Sequence, residues 1–404
     1  MGALEWPGMR TSIVAGLLCA LAAGLLALPA VAQAPTPAPS SSPNAAPTPT
    51  NSPAPVSTAT PTVTISRVLL ATQAFTTNVN ATGNFGNAGG NDQASRFNVS
   101  SAFVTLTRNT GFFRYGASAG AYSIPVLGVS GNKTLETSAN TNLYGPVPSV
   151  YVSLNPNDHV SITVGKLATL IGQENTYTYV NPNIQRGLVW NMETAVSRGV
   201  RLGITGGKYT GALEVNDGFY SGHFLGLEGS LTLAADANTS YQFVFVIPNS
   251  RAPGNPTSAI ANKRLYDFMY TATRGRWTLT PYVLLVQSPQ SSALGYISTE
   301  SAYGVVFTST YTLNPAWSIT GRIEDIANQS TTNDRSANAD LVGYGPGSGA
   351  WTFTVTPAYR RAQFLLRADI SEVTVRSAAP GVAFGVSGSL RNQFRIVLES
   401  GLEF

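Results

Sequence analysis

The last residues of the chain alternate between apolar and polar side chains. Apolar side chains recur at Phe394, Ile396, Leu398, Leu402 and Phe404, and most of the intervening positions are polar. A period of two residues is that of a β-strand with one apolar and one polar face. A strand at the end of a chain needs a neighbour on each edge, and a closed barrel supplies the first strand as the second neighbour. The alternative is the last strand of a soluble β-sandwich.

The same alternation recurs earlier in the chain, in pairs of segments joined by short turns. The predicted hairpins are 96–107 with 111–123, 149–154 with 159–167, 198–205 with 209–216, 223–234 with 239–247, 263–273 with 277–287, 300–313 with 317–326, and 351–359 with 363–371. Segment 65–75 and the terminal strand bring the predicted total to sixteen. Predicted strand boundaries carry an error of about two to four residues, so fourteen and eighteen strands remain alternatives.

Composition favours a barrel in a membrane over a soluble sandwich. Charged residues make up only 11% of the chain. Beyond residue 32, however, apolar residues alternate with polar ones and do not form long apolar runs. Every backbone polar group must be paired in lipid, so strands can cross a membrane only as a closed barrel. The sequence therefore predicts an all-β fold, a transmembrane antiparallel β-barrel over residues 63–404. Its short turns would face the periplasm and its long loops the cell exterior.

Ionic side chains of both signs lie on the predicted polar face. Sixteen strands enclose a space too wide for side chains to fill, so we expect this face to line water. The candidates for the lining are six basic and six acidic residues: Arg114, Arg201, Arg322, Arg360, Arg367 and Arg395, with Glu214, Glu228, Asp267, Glu324, Asp369 and Glu399. A balanced lining favours small hydrophilic solutes without strong charge selection. A shift of register by one residue would exchange the two faces.

The longest connection between predicted strands is 168–197. If it folds into the barrel, it narrows the enclosed space, and Glu174, Arg186 and Glu193 become constriction charges. If it folds outward, it is a solvated loop. The sequence leaves both arrangements open.

Three tryptophans are predicted to mark one membrane interface. Trp277, Trp317 and Trp351 each stand near the start of a predicted strand. Aromatic side chains concentrate at the level of the lipid headgroups in membrane barrels. We therefore expect these three residues to form a girdle beside the short turns.

Two segments precede the predicted barrel. Residues 1–32 combine Arg10, an apolar stretch over 13–28 and small residues at Ala30 and Ala32, which is the pattern of a cleaved export signal. An uncleaved membrane anchor is the alternative. Residues 33–62 are rich in Pro, Ala, Ser and Thr and predict a disordered periplasmic segment, either a spacer or a tether. Cleavage would remove Cys19, the only cysteine, so we expect no disulfide.

The sequence offers little for catalysis. It contains two histidines, His159 and His223, and only His223 lies near a carboxylate at a predicted outer loop, that of Asp217. A hydrolase at the outer rim would need that pair as its base. We expect no enzyme, no cofactor and no metal site. The formal net charge of +4 is spread along the chain, which does not favour binding to nucleic acid.

Residues 164–222 resemble a known family in four places. These are Val164-Gly165-Lys166, the run Asn-Pro-Asn-Ile-Gln-Arg-Gly at 181–187, Ser-Arg-Gly-Val-Arg at 197–201, and Glu-Val-Asn-Asp-Gly-Phe-Tyr at 214–220. The pattern resembles the OmpL-like outer-membrane β-barrel porins. The final strand, ending at Phe404, is similar to the terminal signal of bacterial outer-membrane barrels.

The resemblance implies a bacterial outer-membrane location in contact with lipid, and recognition of the final strand by the barrel-assembly machinery. It also implies passive diffusion of small hydrophilic solutes. Sixteen-stranded porins are commonly trimers, so a homotrimer is an option that the residues neither identify nor exclude. The alternative from another class is a plugged barrel with a structural or adhesive role.

Overall fold

The computed structural model describes residues 63–81, 93–129, 145–218, 226–248 and 263–404, and these residues form one antiparallel sheet. Its strands are β1 Val63–Thr76, β2 Ser95–Arg108, β3 Phe113–Tyr122, β4 Ser149–Leu154, β5 Val160–Ala168, β6 Val196–Gly206, β7 Tyr209–Asn216, β8 Gly226–Asp236, β9 Thr239–Ile247, β10 Arg264–Arg274, β11 Trp277–Leu279, β12 Tyr282–Ser288, β13 Glu300–Asn314, β14 Trp317–Asn328, β15 Gly349–Arg361, β16 Phe364–Arg376 and β17 Asn392–Glu403.

The sheet closes on itself because β1 pairs with both β2 and β17. Strands β11 and β12 are two segments of one strand. Both pair with β10 and with β13, and the register is the same on either side of Thr280 and Pro281. Proline has no N–H to donate to the ladder, which accounts for the interruption. The barrel therefore has sixteen strands, as the sequence predicts.

The two ends of the barrel differ in the length of their connections. Short turns join the members of each predicted hairpin, for example between β6 and β7 and between β13 and β14. Longer connections lie at the opposite end, such as 169–195, 329–348 and 377–391. This arrangement confirms the predicted layout of hairpins and long loops.

Alternation separates an apolar outer face from an inner face along every long strand. Large apolar side chains are exposed on the outside, whereas the residues next to them are buried: Phe243, Phe268, Phe307, Ile323, Phe353, Ile370 and Leu398 are examples of the exposed set. Exposed apolar side chains in this number are suited to contact with lipid rather than water. The twelve predicted lining residues therefore lie on the inner face, whereas the Asp325 and Arg376 ion pair lies on the outer face near the long connections.

The prediction for the tryptophan girdle was wrong at one position. Trp277 and Trp317 follow short turns, and they pack against Tyr311 and Tyr359 with ring centroids 4.7 and 4.9 Å apart. Trp351 instead pairs with Asp325 at the opposite end, because β15 runs from a long connection down to a short turn. The direction of the strand, rather than its first residue, decides which interface an aromatic side chain reaches.

Helical structure in the described ranges is limited to short 3-10 turns at Thr178–Val180, Val189–Met192 and Ser292–Leu294. Across those same ranges, no helix combines the length and apolar character needed to span a membrane. Three predictions fall outside the described residues and stay predictions: the export signal (1–32), the disordered segment (33–62) and the pairing of His223 with Asp217.

Candidate functional site

The connection between β5 and β6 folds into the barrel. This inserted segment, residues 169–195, is closed at its base by a hydrogen bond from the Thr169 N–H to the Ala195 carbonyl, 3.0 Å long. Its tip runs beside the residues that follow β3, where Val126 and Arg186 form a short parallel bridge. Of the two arrangements that the sequence leaves open, the structure has the inward one.

Carboxylates on the inner face hold the backbone of the inserted segment. Asp369 accepts hydrogen bonds from the N–H groups of Ile184 and Gln185, at 3.0 and 2.7 Å. Glu324 accepts one from the Leu188 N–H at 2.9 Å. These contacts satisfy backbone donors that would otherwise be buried without partners.

The same arrangement recurs near the base of the inserted segment. Glu228 on β8 accepts from the Leu170 N–H at 2.5 Å, and Asp267 on β10 accepts from the Gly172 N–H at 2.8 Å. Four strands spaced around the barrel thus contribute one carboxylate each to the same connection. The segment is fixed along its length rather than at a single anchor.

Arginines on the inner face bind carbonyl groups of the inserted segment. Arg367 donates to the carbonyls of Asn181 and Thr178 at 2.6 and 2.5 Å, while its guanidinium also pairs with Glu399. Arg395 donates to the side-chain carbonyl of Gln185 in the inserted segment at 3.2 Å, and to the backbone carbonyls of Val126 and Val129 after β3, both at 3.0 Å. The inward cations and anions therefore bind complementary backbone groups of the chain itself.

Nine of the twelve predicted lining residues are at most 4% exposed: Glu214, Glu228, Asp267, Arg322, Glu324, Arg367, Asp369, Arg395 and Glu399. All nine lie on the inner face but beneath other protein atoms. Arg114 and Arg201 are half-buried and Arg360 is exposed. Arg201 is paired with Glu214 at 2.6 Å. Whether any of the twelve contacts a passing solute stays a prediction.

The three predicted constriction residues have different surroundings. Glu174 pairs with Arg322 and accepts from the Gly187 N–H at 2.6 Å. Arg186 is fully buried and donates to the Ile184 carbonyl at 2.6 Å and to that of Thr176, so it stabilises the turn of the inserted segment. Glu193 is buried near the end of the segment. The constriction role of these residues stays a prediction.

Burial of Glu193 raises the pKa of its carboxyl well above the usual value, and the neighbouring carboxylates of Asp267 and Glu174 add to the rise. Desolvation disfavours the charged form of an acid, and nearby like charges act in the same direction. The Glu193 carboxyl therefore holds its proton to a higher pH than an exposed glutamate does.

An apolar cluster inside the barrel was not predicted. Inward side chains of β9 to β16 pack against Leu188, Val189 and Met192 of the inserted segment: the strand residues include Val244, Leu265, Leu284, Val306, Ile326, Val373 and Val375. The alternation in most strands predicts a polar inner face that lines water, and this part of the wall is apolar and covered by protein instead. Strand β12 carried the signal, because it is apolar at five consecutive positions, 282–286, and so has two apolar faces.

The inserted segment leaves the opposite wall less covered. Its inward side chains are small hydroxyls that remain half-buried; we call Ser118, Ser161, Thr163, Thr210 and Ser230 the hydroxyl face. They share the inner face with Arg201, which lies directly opposite Thr163 in the β5–β6 ladder. Any aqueous path through the barrel would run along this uncharged polar surface.

Other chemistry is not favoured by the described residues. Across the described ranges, no group of three or more His, Cys, Asp or Glu side chains could hold a metal ion. Asp217, which was paired with His223 in the hydrolase alternative, forms an ion pair with Arg198 at 2.6 Å. His159 lies beside the Thr205 carbonyl, with Nδ1 3.0 Å from the oxygen.

Solved structures with a similar fold are outer-membrane proteins. An anion-selective porin from Comamonas acidovorans has a TM-score of 0.58 at 9% identity, over 85% of this chain and 100% of that one. The outer-membrane channel DcaP of Acinetobacter baumannii has a TM-score of 0.55 at 11% identity, over 85% and 97%. OmpT of Vibrio cholerae in its trimer form has a TM-score of 0.53 at 9% identity, over 85% and 99%. Identities this low establish similarity of fold alone.

No curated protein sequence matches the chain significantly. A family model does match it, over residues 64–404, and its description is "Putative beta-barrel porin-2, OmpL-like". The match spans the whole described barrel, including the four places of the resemblance noted in the sequence. The chain therefore belongs to the OmpL-like family of outer-membrane β-barrel porins.

Proposed function

We propose that this porin conducts small hydrophilic solutes passively across the bacterial outer membrane, along the hydroxyl face of its barrel. The observation that supports this route is the asymmetric filling of the lumen. The inserted segment packs against inner side chains of β1, β2 and β9 to β17, whereas the hydroxyl side chains of β3 to β8 stay half-buried. Solutes would therefore pass between the inserted segment and a wall of Ser and Thr.

The chemistry of that wall favours neutral or weakly charged solutes. Hydroxyl groups can donate and accept hydrogen bonds, so they can replace part of the hydration shell of a polar solute. Most charged groups of the inner face bind the inserted segment, so they hold that segment in place rather than contact the solute. Arg114 and Arg201 are the half-buried cations beside the path.

The test is solute uptake by proteoliposomes that contain the purified chain. Swelling in isosmotic solutions of sugars of increasing size should occur for small sugars and fall for larger ones. Thr163→Trp should reduce the rate, because it places a large ring on the hydroxyl face. Val164→Trp is the matched control, since Val164 is the next residue and points outward. Equal rates for the two variants would contradict the proposed route.

A second candidate, the plugged barrel with a structural or adhesive role, is favoured by the same inserted segment. If the segment sealed the lumen, proteoliposomes would not swell in any of the sugars, and both tryptophan variants would behave as the parent. Swelling that depends on solute size excludes a complete seal.

The proposal includes assembly and location. The terminal strand pairs with β1 and β16 and leaves its outer apolar side chains exposed, which fits recognition of that strand by the barrel-assembly machinery. Export would remove residues 1–32. A homotrimer is supported by one relative, OmpT of Vibrio cholerae, which was determined in a trimer form. Native mass spectrometry of the detergent-solubilised protein tests the trimer, and N-terminal sequencing of that protein tests the cleavage.

A further inference from the structure

Four polar atoms near the base of the inserted segment are buried without a hydrogen bond of ordinary geometry. They are both carboxylate oxygens of Glu193, the Oδ1 atom of Asp267 and the hydroxyl of Tyr282, counted among the residues that the structure describes. The Tyr282 hydroxyl nevertheless lies within interaction range of the Glu193 carboxylate. All three side chains are at most 5% exposed. A buried polar group without a partner costs free energy, so an arrangement of this kind calls for a ligand or a proton.

The three residues come from different elements and meet at one place. Glu193 ends the inserted segment, whereas Asp267 and Tyr282 lie on β10 and β12, and both strand residues point inward. Gly172 lies against the Glu193 carboxylate, and its N–H donates to the other oxygen of Asp267. The two limbs of the inserted segment and the barrel wall thus share this small polar site.

The charges around the site are mostly negative. The acids that face Glu193 are Asp267 from β10, Glu174 from the inserted segment and Glu324 from β14, and Tyr282 from β12 faces it as well. The cation among them is Arg322 of β14, which pairs with Glu174 and lies 3.5 Å from Glu324. Arg322 is therefore engaged by two of the four acids, and within the described ranges no salt bridge joins an arginine to Glu193 or Asp267.

We propose that Glu193 and Asp267 share one proton, and that this proton latches the inserted segment to the barrel wall. With Glu193 protonated, its O–H donates to Oδ1 of Asp267, and its other oxygen accepts from the Tyr282 hydroxyl. One added proton gives each of the four atoms a partner. Neighbouring carboxyl groups commonly hold a single proton in this way, because both cannot ionise together at low cost.

The latch makes the channel sensitive to pH in one direction, and this consequence depends on the proposed diffusion function. Glu193 would have an ordinary pKa if the segment left the site, but its pKa is raised while the segment is inserted. The proton therefore stabilises the inserted state fully at low pH, and that stabilisation is lost as the pH rises through the raised pKa. Between the two pKa values, the ratio of released to inserted states increases by up to about tenfold per pH unit.

The experiment is single-channel recording in planar bilayers from pH 5 to pH 10 at constant salt. The parent should show a conductance or open fraction that rises with pH. Glu193→Gln should hold the low-pH behaviour across the range, because the amide can donate to Asp267 and accept from Tyr282 without titrating. Asp267→Asn should also flatten the pH dependence. This second variant tests the shared proton if Glu193→Gln does not assemble. Glu403→Gln, at the short-turn end of the barrel, should keep the parent's response.

The outcomes separate this inference from the proposed function. Absence of current at every pH contradicts the diffusion channel itself. Current that does not change with pH in the parent, or that keeps its pH dependence in Glu193→Gln and Asp267→Asn, overturns the proton latch alone. A response at fixed pH to added Ca²⁺ or to a chelator, lost in Glu193→Gln, would also overturn it, since the site would then hold a metal cation instead of a proton.

Discussion

Arg367 and Glu399 form an ion pair on the inner face of the barrel, with Nη2 of the guanidinium 2.5 Å from Oε2 of the carboxylate. They are directly opposite each other on β16 and β17. Both are buried, and the same guanidinium binds two carbonyls of the inserted segment. The pair therefore links closure of the barrel at its terminal strand to the position of the inserted segment.

Replacing Arg367 with Met should leave the Glu399 carboxylate buried without its cation. Loss of one partner of a buried pair typically costs about 3–5 kcal/mol in unfolding free energy. Urea titration in lipid vesicles, followed by tryptophan fluorescence, measures it. The matched control is Arg360→Met, which removes a partly exposed pair with Glu403 and should cost about 0–1 kcal/mol. Equal losses for the two variants would show that burial of the pair is not the deciding factor.

A charge on the lipid face should destabilise the barrel in proportion to its depth. Ile370 lies at the middle of β16 and is exposed on the outer face, so Ile370→Arg should cost about 2–4 kcal/mol. Leu366 lies on the same face nearer the short turn, and Leu366→Arg should cost about 0–1 kcal/mol. The same vesicle titration measures both values. A larger loss at Leu366 than at Ile370 would contradict the placement of the barrel in lipid.

Burial lowers the pKa of Lys263 to about 8, and Asp340 opposes the shift only in part. A lysine in the unfolded chain has a pKa of about 10.4, so between these two values the unfolded state binds more protons than the folded state. The unfolding free energy should therefore rise between pH 8 and pH 10, by up to about 1.4 kcal/mol per pH unit. Lys263→Met should remove this rise, and parallel pH profiles for the two proteins would contradict the shift.

The hydroxyl face should be reachable from water, whereas the wall beneath the inserted segment should not. Ser118→Cys is expected to react with a charged, membrane-impermeant thiol reagent and to lose conductance. Thr354→Cys points inward but is fully buried, so it should stay unmodified. Ala119→Cys, on the outer face next to Ser118, is the control for lipid exposure. Reaction at position 354 as fast as at 118 would place the aqueous path elsewhere.

The sixteen strands could be predicted because lipid on one side and a polar interior on the other impose strict alternation. The terminal strand shows this most clearly, with Phe394 and Leu398 exposed and Arg395 and Glu399 buried. Turn residues then fixed the pairing of neighbours. The interior was harder to predict, because alternation assigns a side chain to a face but not to a partner.

Two features of the interior show where that limit lies. Asp369 and Glu324 occupy the same positions in the apolar–polar alternation whether they face water or the N–H groups of residues 184 to 188. The sequence therefore could not distinguish a water-lining carboxylate from one that binds the inserted segment. The apolar cluster could have been predicted from a sequence feature that does not follow the apolar–polar alternation. In β12, Val283 and Leu284 are both apolar although they face opposite sides. A membrane strand that is apolar on both faces indicates that protein covers its inner side.

The most direct test of the account is the conductance of the purified chain in planar bilayers at neutral pH. The inserted segment packs on one side of the lumen and the proposed path follows the hydroxyl face on the other, so we expect discrete current steps that are ohmic and small for a sixteen-stranded barrel. Insertion of folded protein, verified by resistance to heat unfolding on gels, without any current step would contradict a diffusion channel and leave the plugged barrel as the correct description.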